Sequence, residues 1–175
     1  LPAATFVGFI FFILGSQWAP AQNGPNLGVL ATSEEIAAWD ISISPDGDGL
    51  PEGSGTAVGG ESIYMEKCLV CHGQEGSGLL NDRLVGGHGT LGGPAPVKTD
   101  GSYWPYATTI FDYVRRAMPY LQPQTLSSKE VYALTAYLLF LNGIIGEDEA
   151  MDAQTLPRVK MPNRDNFILA YPGGG

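Results

Sequence analysis

Cys68-Leu69-Val70-Cys71-His72 carries the strongest structural signal in this chain. Cys-x-x-Cys-His is the pattern through which haem c is attached to protein. The spacing places two thiols one helical turn apart, where they can bond the two vinyl groups on one edge of a porphyrin, and the adjacent imidazole then lies under the iron. We therefore predict one haem c, covalently attached through Cys68 and Cys71, with His72 as an iron ligand.

Two other interpretations of this motif are weaker. A structural zinc site would need both cysteines and both histidines of the chain, and tetrahedral ligation by the adjacent Cys71 and His72 is awkward. A thioredoxin-like dithiol belongs near a βαβ pattern, whereas the flanking sequence here predicts a helix, a Gly-rich loop and a second helix. Haem c is the interpretation that remains.

Composition limits the size and the partners of the protein. The 175 residues suffice for one domain with extensions that can enclose a haem. The net charge of −9 argues against nucleic-acid binding, or binding to an anionic membrane, through a basic patch. A partner with a basic surface is the expected complement, and simple solubility is the alternative explanation of the acidic balance.

Residues 1–21 have two interpretations. An uncharged apolar run over residues 3–14 and the sequence Ala19-Pro20-Ala21 fit a secretory signal peptide with its cleavage site. The alternative is a retained transmembrane anchor with Trp18 at the interface, although the run is shorter than the ~20 residues that a membrane span needs. We favour the retained single-pass anchor, lengthened by residues upstream of Leu1.

The remaining chain divides into three predicted parts. Residues 22–55 form a linker or arm rich in Gly, Pro, Ser and Asp, with one short helix that begins at Thr32 or Ser33. Residues 56–143 form the haem domain, and residues 144–175 an extended tail lying on it. Within the haem domain, periodicity and capping signals predict helices over residues 59–71, 108–116 and 127–141.

The second iron ligand is predicted to be a methionine. A low-spin electron-transfer haem usually pairs His with a Met thioether, whose soft sulfur favours ferrous iron. Met118 stands just past a predicted helix end, on a loop that can lie over the distal haem face. Met161 and His88 are the alternatives, and Met65 is too close to Cys68 in sequence to reach the opposite face.

Further residues are expected to support the haem. His72 should donate a hydrogen bond from its second ring nitrogen to a backbone carbonyl, and Pro94 or Pro96 is the candidate acceptor. Tyr103 and Trp104 are expected to pack on the macrocycle, with ordinary core aromatics as the alternative.

Beyond the haem motif, several stretches together resemble one known group of proteins. That group is the class I c-type cytochromes, and within them the cytochrome subunit of the sulfite and sulfane dehydrogenases of sulfur-oxidising bacteria. The resemblance covers roughly residues 30–168. The stretches that carry it are 34–41, 68–72, 101–108, 116–119, 130–138 and 161–164.

The resemblance implies a mainly α class I cytochrome c fold, with three to four helices around one haem and long irregular extensions at both ends. It implies Met118 as the axial ligand and a non-catalytic role on the periplasmic side of the membrane. There the chain would take single electrons from a molybdenum-containing catalytic subunit and pass them to a respiratory or photosynthetic acceptor. A membrane-tethered carrier, or a subunit of a respiratory or photosynthetic complex, is the alternative function. A catalytic or sensory haem with an exchangeable sixth position is the third.

Overall fold

The computed structural model describes residues 28–168 and residue 170. The predicted signal peptide or anchor over residues 1–21 lies outside these residues. In the part that is described, no helix combines the length and apolar character needed to cross a membrane. The secondary structure there is mainly helical. The α-helices are α1 (Ser33–Trp39), α2 (Ala57–Lys67), α3 (Leu69–His72), α4 (Ala107–Ala117) and α5 (Ser128–Leu141), and the strands are β1 (Ser54–Gly55) and β2 (Met151–Asp152).

Side-chain caps set the starts of two predicted helices. Thr32 caps α1 and Ser127 caps α5, and each forms a reciprocal capping box with the glutamate three residues on. In α5 the Glu130 carboxylate accepts hydrogen bonds from the Ser127 backbone N–H and hydroxyl, both at 2.8 Å. The helix ends before Asn142 as predicted. These local signals confirm the expected positions of both helices.

The helix predicted over residues 59–71 is divided in two by Cys68. Its dihedral angles (φ −121°, ψ −32°) leave the helical region, so α2 ends at Lys67 and α3 begins at Leu69. The buried hydroxyl of Tyr64 donates a 2.8 Å hydrogen bond to the Gly73 carbonyl and ties α2 to the end of α3. The prediction of one continuous helix was therefore wrong, because the haem motif forms a short helical turn of its own.

The core lies where α2 and α4 pack against α5. Gly60 allows α2 to approach α5 closely, since a Cβ atom at this position would collide with the Ala133 carbonyl. On the α4 side, the rings of Phe111 and Tyr132 lie 4.4 Å apart between centroids, and both are fully buried. This packing fixes α2, which leads into the Cys68–His72 motif, and α4, which leads to Met118.

The C-terminal segment folds onto the domain and contributes to its core. Strand β2 pairs antiparallel with β1, and Gly55 lies opposite Met151. Met151, Leu156 and Met161 are all buried. The predicted tail thus adds core residues from irregular structure, and the boundaries at 22–55, 56–143 and 144–175 stay predictions.

Candidate haem site

A cavity of about 590 Å³ is lined by the four residues that are expected to bind haem and iron. Cys68, Cys71 and His72 reach it from the turn formed by α3, and Met118 reaches it from the end of α4. Apolar side chains form much of its wall. They are Leu84, Ile110, Val114, Leu126, Leu134 and Leu138.

The His72 ring is held by the backbone of the following loop. Its Nδ1 atom lies 3.1 Å from the carbonyl oxygen of Asp82. With the other ring nitrogen on iron, the Nδ1–H group would donate a hydrogen bond to this carbonyl. The loop is drawn back to α3 by hydrogen bonds from Gly78 N–H to the His72 carbonyl (2.7 Å) and from Asn81 N–H to the Cys71 carbonyl (2.9 Å).

The carbonyl acceptor proposed from the sequence does not take this position. Pro94 and Pro96 are exposed and do not line the cavity. The loop after α3 turns back at once, so the carbonyl that reaches His72 belongs to Asp82, ten residues on. A backbone carbonyl has no side-chain signature, which is why sequence reasoning missed Asp82.

Met118 is the only one of the three candidate sixth ligands that lines the cavity in the described part of the chain. It caps α4, whose last turn is closed by a 3.1 Å hydrogen bond from the Met118 N–H to the Val114 carbonyl. Its extended backbone (φ −120°, ψ 149°) ends the helix before Pro119, as the sequence predicts. Met161 is buried in the core, and His88 is exposed on its loop.

Of the two aromatic residues predicted to pack on the haem, only one lines the cavity. Trp104 lines the cavity, where its ring meets the ring of Tyr113 edge to face at 5.6 Å between centroids. Tyr103 lies outside the cavity lining. Its ring packs against Phe167 at 5.6 Å, and the Lys98 ammonium lies 4.8 Å from the ring centroid.

Polar residues occupy another part of the cavity wall. Arg83 and Lys98 bring positive charge, and Asp100 is buried with 9% exposure. Burial raises the pKa of Asp100 to about 7. Cations beside an apolar slot suit the two carboxylates that a haem carries on one edge.

The residues present fit haem c. The cavity volume falls in the usual range of cofactor sites, roughly 300–1,000 Å³. It brings together two thiols, an oriented imidazole, a thioether and apolar walls.

Burial raises the pKa of the Cys68 thiol to about 11, with smaller contributions from Cys71, which raises it, and Lys67, which lowers it.

Known proteins resemble this chain in both sequence and structure. Residues 55–138 match the family model described as cytochrome c oxidase, cbb3-type, subunit III. A chain in the crystal structure of the sulfane dehydrogenase SoxCD from Paracoccus pantotrophus is 44% identical, with a TM-score of 0.78, over 85% of this chain and 72% of that one.

Two thiosulfate dehydrogenases are more distant relatives. The protein from Psychrobacter arcticus is 28% identical over 105 residues, and that from Allochromatium vinosum is 27% identical over 117 residues. The matched regions are 58% and 67% of this chain but only 32% and 39% of those proteins. The chain therefore spans well under half the length of these curated relatives.

These likenesses agree with the geometry of the cavity. The cytochrome c family match and the spacing of Cys68 and Cys71 show that the chain carries covalently bound haem c. The high identity over most of both chains makes the relation to the SoxCD chain specific. The chain belongs to the c-type cytochromes, in the family of the matching chain of sulfane dehydrogenase.

Proposed function

We propose that this chain is the single-electron carrier of a dehydrogenase complex. It accepts electrons one at a time from a molybdenum-containing catalytic subunit of the sulfite-oxidase family and passes them to a further redox protein. The observation that carries the proposal is the meeting of Cys68, Cys71, His72 and Met118 in one cavity.

The bound haem supplies an iron that cycles between the ferric and ferrous forms. The protein does the rest. Cys68 and Cys71 would hold the porphyrin covalently, and His72 and Met118 would both bind its iron. With both side chains on the iron, the chain would act as a carrier without catalytic activity of its own. The apolar walls exclude water, which keeps the iron environment similar in both redox states.

The Asp82 carbonyl orients His72 in this proposal, and Trp104 lies against the macrocycle. Arg83 and Lys98 neutralise the haem carboxylates. Tyr103, Pro94 and Pro96 have no direct role at the haem, because they lie outside the cavity lining.

A second candidate is a membrane-tethered carrier or a subunit of a respiratory or photosynthetic complex. The family model over residues 55–138 favours it, because its description names a subunit of an oxidase. In both cases we place the haem domain on the periplasmic side, with residues 1–21 as an anchor or, alternatively, as a cleaved signal peptide that leaves a soluble protein.

Purification from the native source separates these functions. The carrier of a dehydrogenase is expected to copurify with molybdenum in a fixed ratio to haem iron, and sulfite or a related sulfur compound should reduce its haem. Isolation with an oxidase or a photosynthetic complex, and without molybdenum, would select the second candidate.

A further inference from the structure

Helix α1 and the residues just before it form an apolar surface that the rest of residues 28–168 leaves exposed. None of the residues of α1 is buried. Trp39 is 84% exposed and Leu30 is 96% exposed. Val29, Ile36 and Trp39 line a common shallow groove on this segment. We name residues 28–41 the docking arm.

Hydrogen bonds within the docking arm set the local shape of α1, and none of the residues of this helix is buried. The Thr32 backbone N–H donates to the Glu35 carboxylate at 2.8 Å, and the Glu35 N–H donates to the Thr32 hydroxyl at 3.2 Å. Isolated helices shorter than about 12–15 residues are marginal in water even with good caps. A seven-residue helix therefore gains stability when another surface packs on it, and the exposed Ile36 and Trp39 provide an apolar face that no described residue buries.

Charge indicates what kind of surface covers it. Residues 1–66 contain no Lys or Arg and eight acidic residues, whereas residues 67–175 contain nine basic and ten acidic residues. Nearly all of the net charge of −9 thus lies in the N-terminal third. Glu34, Glu35 and Asp40 belong to the docking arm itself. An anionic lipid surface or a second copy of the arm would repel these charges, and a basic protein surface would attract them.

The arm joins the domain beside the haem ligand helix. The guanidinium groups of Arg115 and Arg116 donate to the Ile41 carbonyl at 3.5 Å and 3.4 Å. Arg116 is fixed in turn by Asp112, with a shortest N–O distance of 2.7 Å. Arg115 and Arg116 belong to the last turn of α4, which ends at Ala117, and Met118 follows directly. A partner that holds the arm is thereby brought to the side of the domain that carries the sixth ligand.

We propose that the docking arm binds the catalytic molybdenum subunit, placing Ile36 and Trp39 in an apolar groove bordered by basic side chains. This inference rests on the proposed function and adds the surface through which the partner is recognised. The arm would supply affinity for the partner and orient it, while the spectrum and the potential of the haem would not depend on the arm.

The test uses the full-length haem-loaded chain and the molybdenum subunit that copurifies with it. The double variant Ile36→Ala/Trp39→Ala removes the apolar contacts, and Val58→Ala changes an exposed apolar residue on α2 as the matched control. We expect the double variant to weaken binding by about tenfold or more. The haem spectrum and potential should be unchanged, as should the rate of haem reduction at saturating partner concentration.

A second variant tests the charge. Glu34→Gln/Glu35→Gln removes two charges, and Gln at position 35 can still complete the capping box. It should weaken binding at low salt and flatten the dependence of the affinity on salt concentration.

Affinities of the double variant within about twofold of the wild-type value would overturn the docking arm but leave the proposed function intact. A wild-type chain that does not bind the molybdenum subunit would overturn both. Loss of self-association, or loss of binding to anionic vesicles, in the variant alone would assign the arm to a second copy or to the membrane and would also overturn the inference.

Discussion

The Nδ1 atom of His72 lies 3.1 Å from the carbonyl oxygen of Asp82, so the loop after the haem motif holds the ring of the proposed proximal ligand. A hydrogen bond of this kind fixes the ring plane and raises the basicity of the nitrogen that binds iron. We therefore expect the geometry of the loop to affect the haem potential as well as the stability of the fold.

Gly73→Ala should disturb this loop. Gly73 has φ +75°, and a Cβ atom there would lie 2.6 Å from the Gly78 carbonyl oxygen. We expect a loss of about 1–3 kcal/mol in the free energy of unfolding, together with a shift in the haem potential. Urea denaturation and potentiometry measure the two effects. In the matched variant Gly89→Ala, φ is also positive (+73°) but no atom lies within 4 Å of the new Cβ, so only a stability loss is expected. Equal potentials in both variants would show that the loop does not act on His72.

Met118→Ala should remove the proposed sixth iron ligand. The absorption band of the thioether-to-iron bond should disappear, the potential should fall, and the ferrous protein should bind carbon monoxide readily. Met161→Leu is the control, because Met161 is buried in the core outside the cavity lining. That variant should keep the spectrum and lose less than about 1.5 kcal/mol of stability. Loss of the band in Met161→Leu rather than in Met118→Ala would reverse the assignment.

Two neighbouring glycines on α2 should respond in opposite ways to alanine. Gly60→Ala places a methyl group against the Ala133 carbonyl of α5, so we expect it to cost about 1–3 kcal/mol or more. In Gly59→Ala the new methyl group meets the Ala133 Cβ and the Thr56 hydroxyl oxygen, both at 3.8 Å, which is ordinary contact, so the variant should stabilise the helix by roughly 0.5–1 kcal/mol. Thermal unfolding of the two variants gives the comparison. A stable Gly60→Ala protein would contradict the close contact of α2 with α5.

Asp100 should make stability and potential depend on pH. Its pKa rises from 3.8 to about 7 because the carboxyl is buried, so the folded state binds its proton more tightly than the unfolded state does. The stabilising contribution is therefore complete below about pH 4 and is lost as the pH rises through about 7, with a total on the order of a few kcal/mol. The carboxylate that forms also stabilises ferric iron, so the potential should fall over the same range.

Asp100→Asn is expected to flatten both dependences. Denaturation at pH 5 and pH 8, with potentiometry at the same values, compares the variant with the wild-type protein. Parallel pH profiles for the two proteins would assign the titration to another group.

The parts of the fold that were predictable from sequence depend on local signals. The capping boxes at Thr32 and Ser127 satisfy backbone groups within one turn, so their spacing alone identifies a helix start. Pro119 similarly predicted the end of α4. The break at Cys68 was missed because the helical periodicity continues across it, although the backbone does not.

Long-range contacts without periodicity were not predictable. Leu156 and Met161 are buried from irregular segments, where a single apolar residue gives no repeating pattern. The Asp82 carbonyl is a backbone group that any residue at that position would supply. The meeting of Met118 with the haem motif was predictable, because a helix end followed by proline and the ligand chemistry of iron point to the same residue.

Intact-mass measurement of the purified mature chain tests the central claim most directly. We predict a mass that exceeds that of the mature polypeptide by one haem, retained after denaturation because Cys68 and Cys71 hold it covalently. A chain at the mass of the bare polypeptide, with both thiols free to react, would contradict the haem site and the electron-carrier function built on it.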